Sequence, residues 1–380
     1  MREVVIVEGA RTPFGRALKG NLRQTRPEDL GALALKEALK RAGLDADAVE
    51  DVALGCAMPE GQQGLNVARV VGFLAGLPNH VPAYTVNRFC ASGLQTIAGV
   101  AARIVTGELD AAIAGGVESM TAVPMGGFHP QLHPTLGVEF PAAYIGMGTT
   151  AENVAARFDV TRQAQDAFAL KSHQKATLAR EKGLLAQEII PVDTLVDGQA
   201  VRVEHDELIR PDTTLEGLAS LRPAFKPVGG TVTAGNASPL TDGAAAVVLM
   251  AREAAGKREI LGTFKRFATV GVDPDIMGIG PVPAIRKLLD KAGLSVTDID
   301  LFEINEAFAA QSVYCQRELG IPDEKLNVNG GAIALGHPLG VSGTRLALTA
   351  LYELRRRGGG RAVVSMCIGG GMGAAALLEV

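Results

Sequence analysis

The sequence has no tryptophan, few aromatic residues and no long apolar run. Its longest uncharged apolar stretches, such as residues 243–251, have the length of a strand, whereas a membrane helix needs about 18 such residues. Apolar residues 4–7 are followed at once by Glu8, which is too short a run for a secretory signal peptide. We therefore expect no membrane span, no secretion and a cytoplasmic location.

Cysteine is scarce, and its spacing fits neither a disulfide framework nor a metal site. No two cysteines form a C-x-x-C pair, and a chain of 380 residues can build a core without disulfides. We expect reduced thiols and no bound metal. The four cysteines are Cys56, Cys90, Cys315 and Cys367.

No charge of one sign dominates. The 37 basic and 41 acidic side chains leave a net charge of −4, without any polybasic run. A nucleic-acid partner is therefore not expected. Glycine, in contrast, is abundant at 46 of 380 residues, so many backbone positions must require positive φ or close approach. The length predicts two or three domains of about 150 residues each.

The chain contains an internal repeat. The tripeptide AGL occurs at 42–44 and 292–294, an offset of 250, and the same offset relates Ser92-Gly93 to Ser342-Gly343. A further pair, GAAAVVLM from Gly243 and GAAALLEV from Gly373, has an offset of 130, so the first copy carries about 120 extra residues. Duplication explains this pattern better than two merely similar domains.

The repeat predicts a domain organisation. Strands alternate with helices in βαβ order, which indicates an α/β protein with mostly parallel sheets and helices on their faces. We predict three units: an N-terminal half, an inserted lobe and a C-terminal half. Their boundaries are residues 1–117 with 243–257, residues 118–242, and residues 258–380.

Cys90 is the first candidate for chemistry. It closes an apolar segment, and residues from Ala91 to about Ile104 follow with helical spacing. Free N–H groups and the helix dipole at that position favour a thiolate, so we expect a lowered thiol pKa. A buried structural cysteine is the alternative.

The equivalent turn of the second half carries His337. It lies between Gly336 and Pro338 in a predicted glycine-rich loop, 330–343, before a predicted helix over 346–354. Loop histidines are often solvated bystanders, but the duplication places this one across a pseudo-twofold axis from Cys90. A Cys–His pair is therefore predicted, with the imidazole assisting the thiol.

Two more candidates lie at strand ends. Cys367 is predicted to follow an apolar strand and precedes three glycines, which would expose its sulfur beside bare N–H groups suited to an oxyanion; a core thiol is the alternative. Asn305, in FEINEAFA, lies at an edge where α/β sheets bind ligands; a helix N-cap is the alternative. Together these residues suit covalent acyl transfer.

The sequence resembles the thiolase family along nearly its whole length. The family fold has two βαβαβαββ halves in a five-layered α-β-α-β-α core, with an inserted loop domain that covers coenzyme A. The resemblance implies an acyltransferase that cleaves 3-ketoacyl-CoA with coenzyme A. The matching blocks, in family order, are VNRFCASGLQ, GGVESM, QDAFALKSH, LRPAF, TVTAGNASPLTDGAAA, DIMGIGP, FEINEAFA, GGAIALGHPLG and VSMCIGGGMG.

The resemblance also implies residue roles. Cys90 would be the acylated nucleophile, and Cys367 the acid/base toward the α-carbon. His337, with a water held by Asn305, would form one oxyanion hole, and the N–H groups of Cys90 and Gly369 the other. Coenzyme A would be a co-substrate rather than a tightly bound cofactor, and the assembly a homodimer or homotetramer. The implied coenzyme A contacts are Met147, Arg210, Phe225, Ala234, Ser238, Ala307 and Phe308.

The sequence departs from the biosynthetic thiolases at two positions. Gly146 replaces a histidine, and Gly217 replaces a serine. We expect a degradative enzyme of fatty acid β-oxidation with broad chain length; the acetoacetyl-specific biosynthetic type is the alternative. A ketoacyl synthase is disfavoured because the third catalytic position is Cys367, not histidine. A non-enzymatic coenzyme A-binding module is disfavoured by the retained catalytic set.

Overall fold

The computed structural model describes residues 2–380, in which twelve strands lie. The strands are β1 (Val4–Arg11), β2 (Gly15–Arg16), β3 (Val52–Gly55), β4 (Ala83–Val86), β5 (Ala111–Ser119), β6 (Val192–Val196), β7 (Gln199–Val203), β8 (Thr241–Ala251), β9 (Gly262–Gly271), β10 (Leu301–Ile304), β11 (Arg361–Ile368) and β12 (Met372–Glu379).

The same described residues contain twelve α-helices, none of which is long and apolar enough to cross a membrane. They are α1 (Pro27–Ala42), α2 (Val67–Leu74), α3 (Ser92–Val105), α4 (Pro134–Glu139), α5 (Met147–Arg157), α6 (Arg162–Glu181), α7 (Leu215–Ala219), α8 (Arg252–Ala255), α9 (Pro281–Ala292), α10 (Ala309–Leu319), α11 (Ala332–Leu335) and α12 (Ser342–Arg356).

The strand order confirms the duplication. The first half runs β1-β8-β5-β3-β4, and the second runs β9-β12-β11-β10 in the same sense. In the second half, the position equivalent to β4 has an isolated parallel bridge between Phe302 and Leu326. The two halves meet edge to edge through antiparallel pairing of β1 with β9 over residues 4–6.

Three cores separate five layers. Leu35 of α1 and Val71 of α2 pack on the outer face of the first half, and Leu288 of α9 packs on the outer face of the second. Between the two halves of the large sheet lies a third core, formed around Ile97 of α3 and Leu351 of α12. The predicted α-β-α-β-α order is therefore confirmed, with α3 and α12 as the central layer.

The extra residues of the first copy follow β5. Chain 120–240 connects β5 to β8 and contains α4 to α7 and the β6-β7 hairpin, whereas a short turn connects β11 to β12. The predicted division into three units at 117/118, 242/243 and 257/258 stays a prediction.

The predicted loop before α12 is partly wrong. The short helix α11 lies inside it, and α12 begins at Ser342 rather than near residue 346. The Ser342 N–H already donates to the Pro338 carbonyl at 3.0 Å. Gly340 and Gly343 therefore allow close packing and do not indicate an irregular loop.

That close packing joins the two halves at the beginnings of α3 and α12. The backbone of Gly340 lies against three glycines of the first half, so that a Cβ on Gly116 would lie 2.0 Å from its carbonyl oxygen. A Cβ on Gly55 or Gly93 would lie 2.7 or 2.8 Å from the same atom. Only glycine permits this approach.

A buried ion-pair network attaches the inserted chain to β1. Arg11 is fully buried; its Nε donates to Glu188 at 2.9 Å and its Nη1 to Asp206 at 2.7 Å. Asp206 also accepts the Phe14 N–H at 2.8 Å. Removing one member would leave unpaired buried charge, so the network constrains both segments.

We predict that Gly116→Ala lowers the free energy of unfolding by about 1–3 kcal/mol, because its methyl group overpacks a backbone contact. Chemical denaturation monitored by circular dichroism measures the change. Gly99→Ala is the control, since a Cβ there meets only the Tyr84 hydroxyl at 3.7 Å. In the helix it should be neutral or stabilising. Equal stability of the two variants would contradict the packing argument.

We predict that Arg11→Ala destabilises the protein by about 3–5 kcal/mol, since Glu188 and Asp206 then lose their buried cation. Arg202→Ala is the matched control, because Arg202 pairs with Asp193 and Glu204 on the surface. We expect that variant to cost about 0–1 kcal/mol. Chemical denaturation of both variants under one condition measures the difference in the free energy of unfolding. Similar losses in the two variants would show that the buried network stabilises the protein no more than a surface ion pair does.

Candidate active site

Cys90 lies on a tight turn at the beginning of α3. The turn, Phe89–Ala91, is a single 3₁₀ turn, and Phe89 has a positive φ of 42°, which is unusual for a residue with a side chain. Ser92 stabilises the turn: its Oγ donates to the Phe89 carbonyl at 2.7 Å and accepts the Arg88 N–H at 2.8 Å. The fold therefore holds Cys90 in a strained, well-defined position.

The expected lowering of the Cys90 pKa is wrong for the free protein. Burial raises the pKa of the thiol to about 11, although hydrogen bonds from the N–H groups of Gly369 and of Cys90 itself act in the opposite direction. The helix start does supply donors, but the side chain is 7% exposed and desolvation outweighs them. Near neutral pH the thiol keeps its proton.

His337 is oriented by Ser342. The Ser342 Oγ donates its only proton to the Pro338 carbonyl at 3.0 Å. With that proton directed at the carbonyl, Nδ1 of His337, which lies 2.6 Å from the Oγ, is the donor to Ser342. In this tautomer the lone pair lies on Nε2, and burial lowers the pKa of His337 to about 3, with a smaller effect from Arg345. His337 is thus a neutral base with a defined tautomer.

Asn305 contacts His337 directly. It follows β10, its N–H donates to the Ser365 carbonyl at 2.9 Å, and its Nδ2 lies 3.2 Å from Nε2 of His337. Its Oδ1 is buried without a hydrogen-bond partner in residues 2–380. The N-cap alternative is wrong, because α10 begins only at Ala309.

Cys367 lies inside β11, opposite Gly373 of β12, rather than after the strand. The expectation of an exposed sulfur is wrong, since the residue is fully buried in the same core as α9. Burial raises the pKa of Cys367 well above its usual value, and the neighbouring Cys90 raises it further. The two sulfurs are thus electrostatic neighbours.

The candidates converge on one place. Cys90 packs with Met120 and Leu339, and Leu339 is two residues from His337. The Gly369 N–H bonds to the Cys90 sulfur, and a Cβ on Gly369 would lie 3.3 Å from the Met147 sulfur. The structure therefore brings together all five residues predicted for catalysis: Cys90, His337, Asn305, Cys367 and Gly369.

Sequence reasoning missed Glu118, which connects the loops around the site. This buried carboxylate ends β5 and accepts the N–H groups of Ala57 at 2.7 Å, Met58 at 3.2 Å and Gly340 at 2.8 Å. Gln63 Nε2 adds a fourth donor at 3.1 Å. Burial raises the pKa of Glu118 and these hydrogen bonds lower it. Its position at a strand end, in GGVESM, was the available signal.

Five of the expected coenzyme A residues form a contiguous group. The Phe225 ring lies on Gly148, beside Met147, and meets the Phe308 ring edge-on with centroids 6.1 Å apart. The Ser238 N–H donates to the Ala307 carbonyl at 3.0 Å. Phe225 remains 48% exposed, so an aromatic face is open at the surface next to the site.

The other two expected contacts are Ala234 and Arg210, both exposed. Ala234 lies in a turn where Thr233 N–H donates to Asn236 Oδ1 at 2.8 Å. Arg210 lies in the inserted chain, four residues after Asp206, and its backbone N–H donates to Nδ1 of His173 at 3.2 Å.

Family models match both halves of the chain. The model described as "Thiolase, N-terminal domain" matches residues 4–253, and "Thiolase, C-terminal domain" matches residues 258–380. The 3-ketoacyl-CoA thiolase of Bacillus subtilis (strain 168) is 53% identical, with 100% of each chain covered. The peroxisomal 3-ketoacyl-CoA thiolase B of Mus musculus is 50% identical over 99% of this chain and 91% of that protein.

Solved structures agree. A Bacillus anthracis acetyl-CoA acetyltransferase superposes with a TM-score of 0.92 at 41% identity, covering 100% of this chain and 99% of the other. Human mitochondrial 3-ketoacyl-CoA thiolase superposes with a TM-score of 0.91, also at 41% identity, covering 100% and 98%. With the duplicated five-layered core and the convergent cysteines, these matches show that the chain belongs to the thiolase family.

Proposed function

We propose that this protein is a 3-ketoacyl-CoA thiolase, an acyltransferase that cleaves a 3-ketoacyl-CoA with coenzyme A. The products are acetyl-CoA and an acyl-CoA shortened by two carbons. The supporting relatives carry that name at 50–53% identity over nearly the full length. The observation that carries the proposal is the convergence of Cys90, Cys367 and the His337–Asn305 pair at one buried place.

The first half-reaction begins with Cys90. Nε2 of His337 accepts the thiol proton while the sulfur attacks the β-keto carbonyl, and the carbon–carbon bond to the α-carbon then breaks. The leaving group is the enolate of acetyl-CoA. Cys367 donates its thiol proton to that α-carbon, which releases acetyl-CoA and leaves an acyl group on Cys90.

The second half-reaction reverses these roles. The Cys367 thiolate accepts the proton of the incoming coenzyme A thiol, whose sulfur attacks the acyl group on Cys90. The Cys90 thiolate leaves and regains its proton from His337. Coenzyme A is thus a co-substrate of a ping-pong cycle, and the chemistry uses no tightly bound cofactor and no metal.

Electrostatics favour proton transfer coupled to attack. With the pKa of Cys90 raised to about 11 and that of His337 lowered to about 3, a resting thiolate–imidazolium pair is unfavourable. As the sulfur bonds to carbon, negative charge moves onto the carbonyl oxygen, where the N–H groups of Cys90 and Gly369 stabilise it. The Ser342 hydroxyl accepts from Nδ1 and supports the imidazolium that forms at the same moment.

The enolate oxygen needs a second set of donors. His337, once protonated at Nε2, and a water held by Asn305 supply them in this proposal. The orphaned Oδ1 of Asn305 supports a held water, because a buried acceptor without a partner is costly unless a ligand or water reaches it. Two oxyanion sites thus serve the two carbonyls of the substrate.

Coenzyme A would lie along the exposed aromatic group at Phe225 and Phe308, with Met147 between it and Gly369. Ser238 and Ala307 offer backbone and hydroxyl groups, and Ala234 and Arg210 extend the strip. We further infer a cytoplasmic enzyme of fatty acid β-oxidation that assembles as a homodimer or homotetramer. The open edge of β4 supports self-association, since unpaired strand edges readily pair with a second copy.

The alternative is an acetoacetyl-specific biosynthetic thiolase. The similarity to an acetyl-CoA acetyltransferase structure supports it, but its 41% identity is below the 53% identity to the 3-ketoacyl-CoA thiolase of Bacillus subtilis. Gly146, before Met147, also removes side-chain bulk next to the site. Substrate chain length separates the two.

We predict that kcat/KM for thiolysis does not fall between C4 and C16 3-ketoacyl-CoA substrates. Each added methylene buried in an apolar slot contributes up to ~0.8 kcal/mol. The measurement is loss of 3-ketoacyl-CoA absorbance with coenzyme A present, and the control omits coenzyme A. A steep fall beyond C4 would support the biosynthetic type instead, and no turnover at any length would refute both.

We predict that substrate acylates Cys90 and no other cysteine. Incubation with a 3-ketoacyl-CoA, followed by peptide mass analysis, should place the acyl group there. Cys90→Ser should lose nearly all turnover, because an alcohol is much harder to ionise than a thiol. Cys315→Ser is the matched control: Cys315 is also fully buried and contacts the Gly278 carbonyl, a contact that serine can keep.

The role of Cys367 is tested in the same experiment. In deuterated water the native enzyme should exchange the α-protons of acetyl-CoA, whereas Cys367→Ala should not, even if Cys90 is still labelled slowly. Label on Cys367, or unchanged exchange in that variant, would overturn the proposed division of roles.

A further inference from the structure

Two exposed arginines, Arg16 and Arg210, lie on neighbouring segments of backbone near the site. Arg16 is the second residue of β2, and Arg210 lies four residues after Asp206 in the inserted chain. The two segments are fastened together by several hydrogen bonds: the Glu207 N–H donates to the Phe14 carbonyl at 3.0 Å, and the Glu207 carboxylate accepts the Arg16 N–H at 3.1 Å. Both arginines thus project from one supported piece of backbone.

Neither guanidinium forms an ion pair within residues 2–380. Other arginines nearby do: Arg11 pairs with Glu188 and Asp206, and Arg23 pairs with Asp197. The carboxylate of Glu207, next to Arg16, accepts backbone N–H groups instead. Two cations on neighbouring segments that form no ion pair repel each other, a cost that a bound anion would relieve.

The guanidinium of Arg210 also lies against a hydrogen-bond donor, the ring of His173. Nδ1 of His173 accepts the Arg210 N–H at 3.2 Å, so a neutral His173 carries its proton on Nε2. That Nε2 lies 3.1 Å from Nη2 of Arg210, which can only donate. His173 is fully buried. The guanidinium therefore has no acceptor where it lies and is free to engage one outside.

The arginines lie beside the strip expected to hold coenzyme A. Arg16 pairs with Thr241 of β8, whose hydroxyl accepts the His337 N–H at 3.0 Å. The next N–H along the chain, that of Ala17, donates to the Leu240 carbonyl, two residues after Ser238. On the other segment, Leu208 packs on Gly336, before His337. The backbone that carries the two arginines therefore borders the segment that contains His337.

We propose that Arg16 and Arg210 together bind a phosphate group of coenzyme A, which makes Arg16 a specificity-determining residue for the nucleotide-bearing thiol. The proposal rests on the proposed function and adds Arg16 to the residues expected from the family. A guanidinium pair suits a phosphate dianion because each fork donates two parallel hydrogen bonds. Burial and the charge of Arg16 also lower the pKa of Arg210, while Asp212 raises it, as expected of a cation lacking a close anion.

The experiment compares thiols in the thiolysis assay: coenzyme A, 3′-dephospho-CoA, 4′-phosphopantetheine and pantetheine. For Arg16→Ala and Arg210→Ala, we expect KM for coenzyme A to rise about tenfold each, as for loss of one charge-assisted contact. The ratio of kcat/KM for coenzyme A to that for pantetheine should fall by the same factor. If the wild type has a higher kcat/KM than the variants with coenzyme A but not with 3′-dephospho-CoA, the arginines bind the 3′-phosphate. If this difference persists with 3′-dephospho-CoA and disappears only with 4′-phosphopantetheine, they bind the pyrophosphate.

The control is Arg266→Ala, another exposed arginine without an ion pair among residues 2–380, which lies on β9 in the second half. It should leave the thiol ratio unchanged. An Arg16→Ala variant with an unchanged ratio, or with equal losses for coenzyme A and pantetheine, would overturn the proposal. Calorimetric titration with coenzyme A distinguishes failure of the proposed function from failure of the arginine site. A wild-type protein that shows no thiolysis refutes the proposed function. Weaker binding of coenzyme A by both variants in the titration would still support the arginine site.

Discussion

The contact between the beginnings of α3 and α12 is the constraint on which the rest of the site depends. Cys90 comes just before one helix and His337 just before the other, so the distance between the helix starts sets the distance between the two side chains. Gly340 lies on the backbone of Gly55, Gly93 and Gly116 with no room for a Cβ at any of them. Larger residues there would separate the two halves and, with them, the nucleophile and its base.

Close packing also determines the electrostatics. The same contact that brings the halves together excludes water, and burial then keeps Cys90 as a thiol and His337 as a neutral imidazole. A resting ion pair would make a more reactive sulfur but would cost desolvation of two charges. The site instead places its stabilising N–H groups where charge develops during the reaction, which is where they lower the barrier most.

Much of this arrangement could be predicted from the sequence, and the reasons for the misses are physical. The offset of 250 residues relates α3 to α12, and this relation alone is enough to pair Cys90 with His337. The sign of the Cys90 pKa shift was wrong because helix-start donors are visible in a sequence whereas burial depends on the opposite half. The beginning of α12 was placed too late because glycines selected for packing look like loop residues.

The duplication also explains the roles of the two serines that the repeat relates. Ser92 and Ser342 are equivalent in the repeat, and each begins its helix with an Oγ that donates to a carbonyl three or four residues earlier. In the first half the remaining lone pair of the hydroxyl accepts the Arg88 N–H and stabilises the strained turn that carries the nucleophile. In the second half the hydroxyl contacts Nδ1 of His337 at 2.6 Å and orients the imidazole. One inherited helix-start serine therefore orients a backbone in one copy and a side chain in the other, so the two halves could diverge in chemistry without changing how their helices begin.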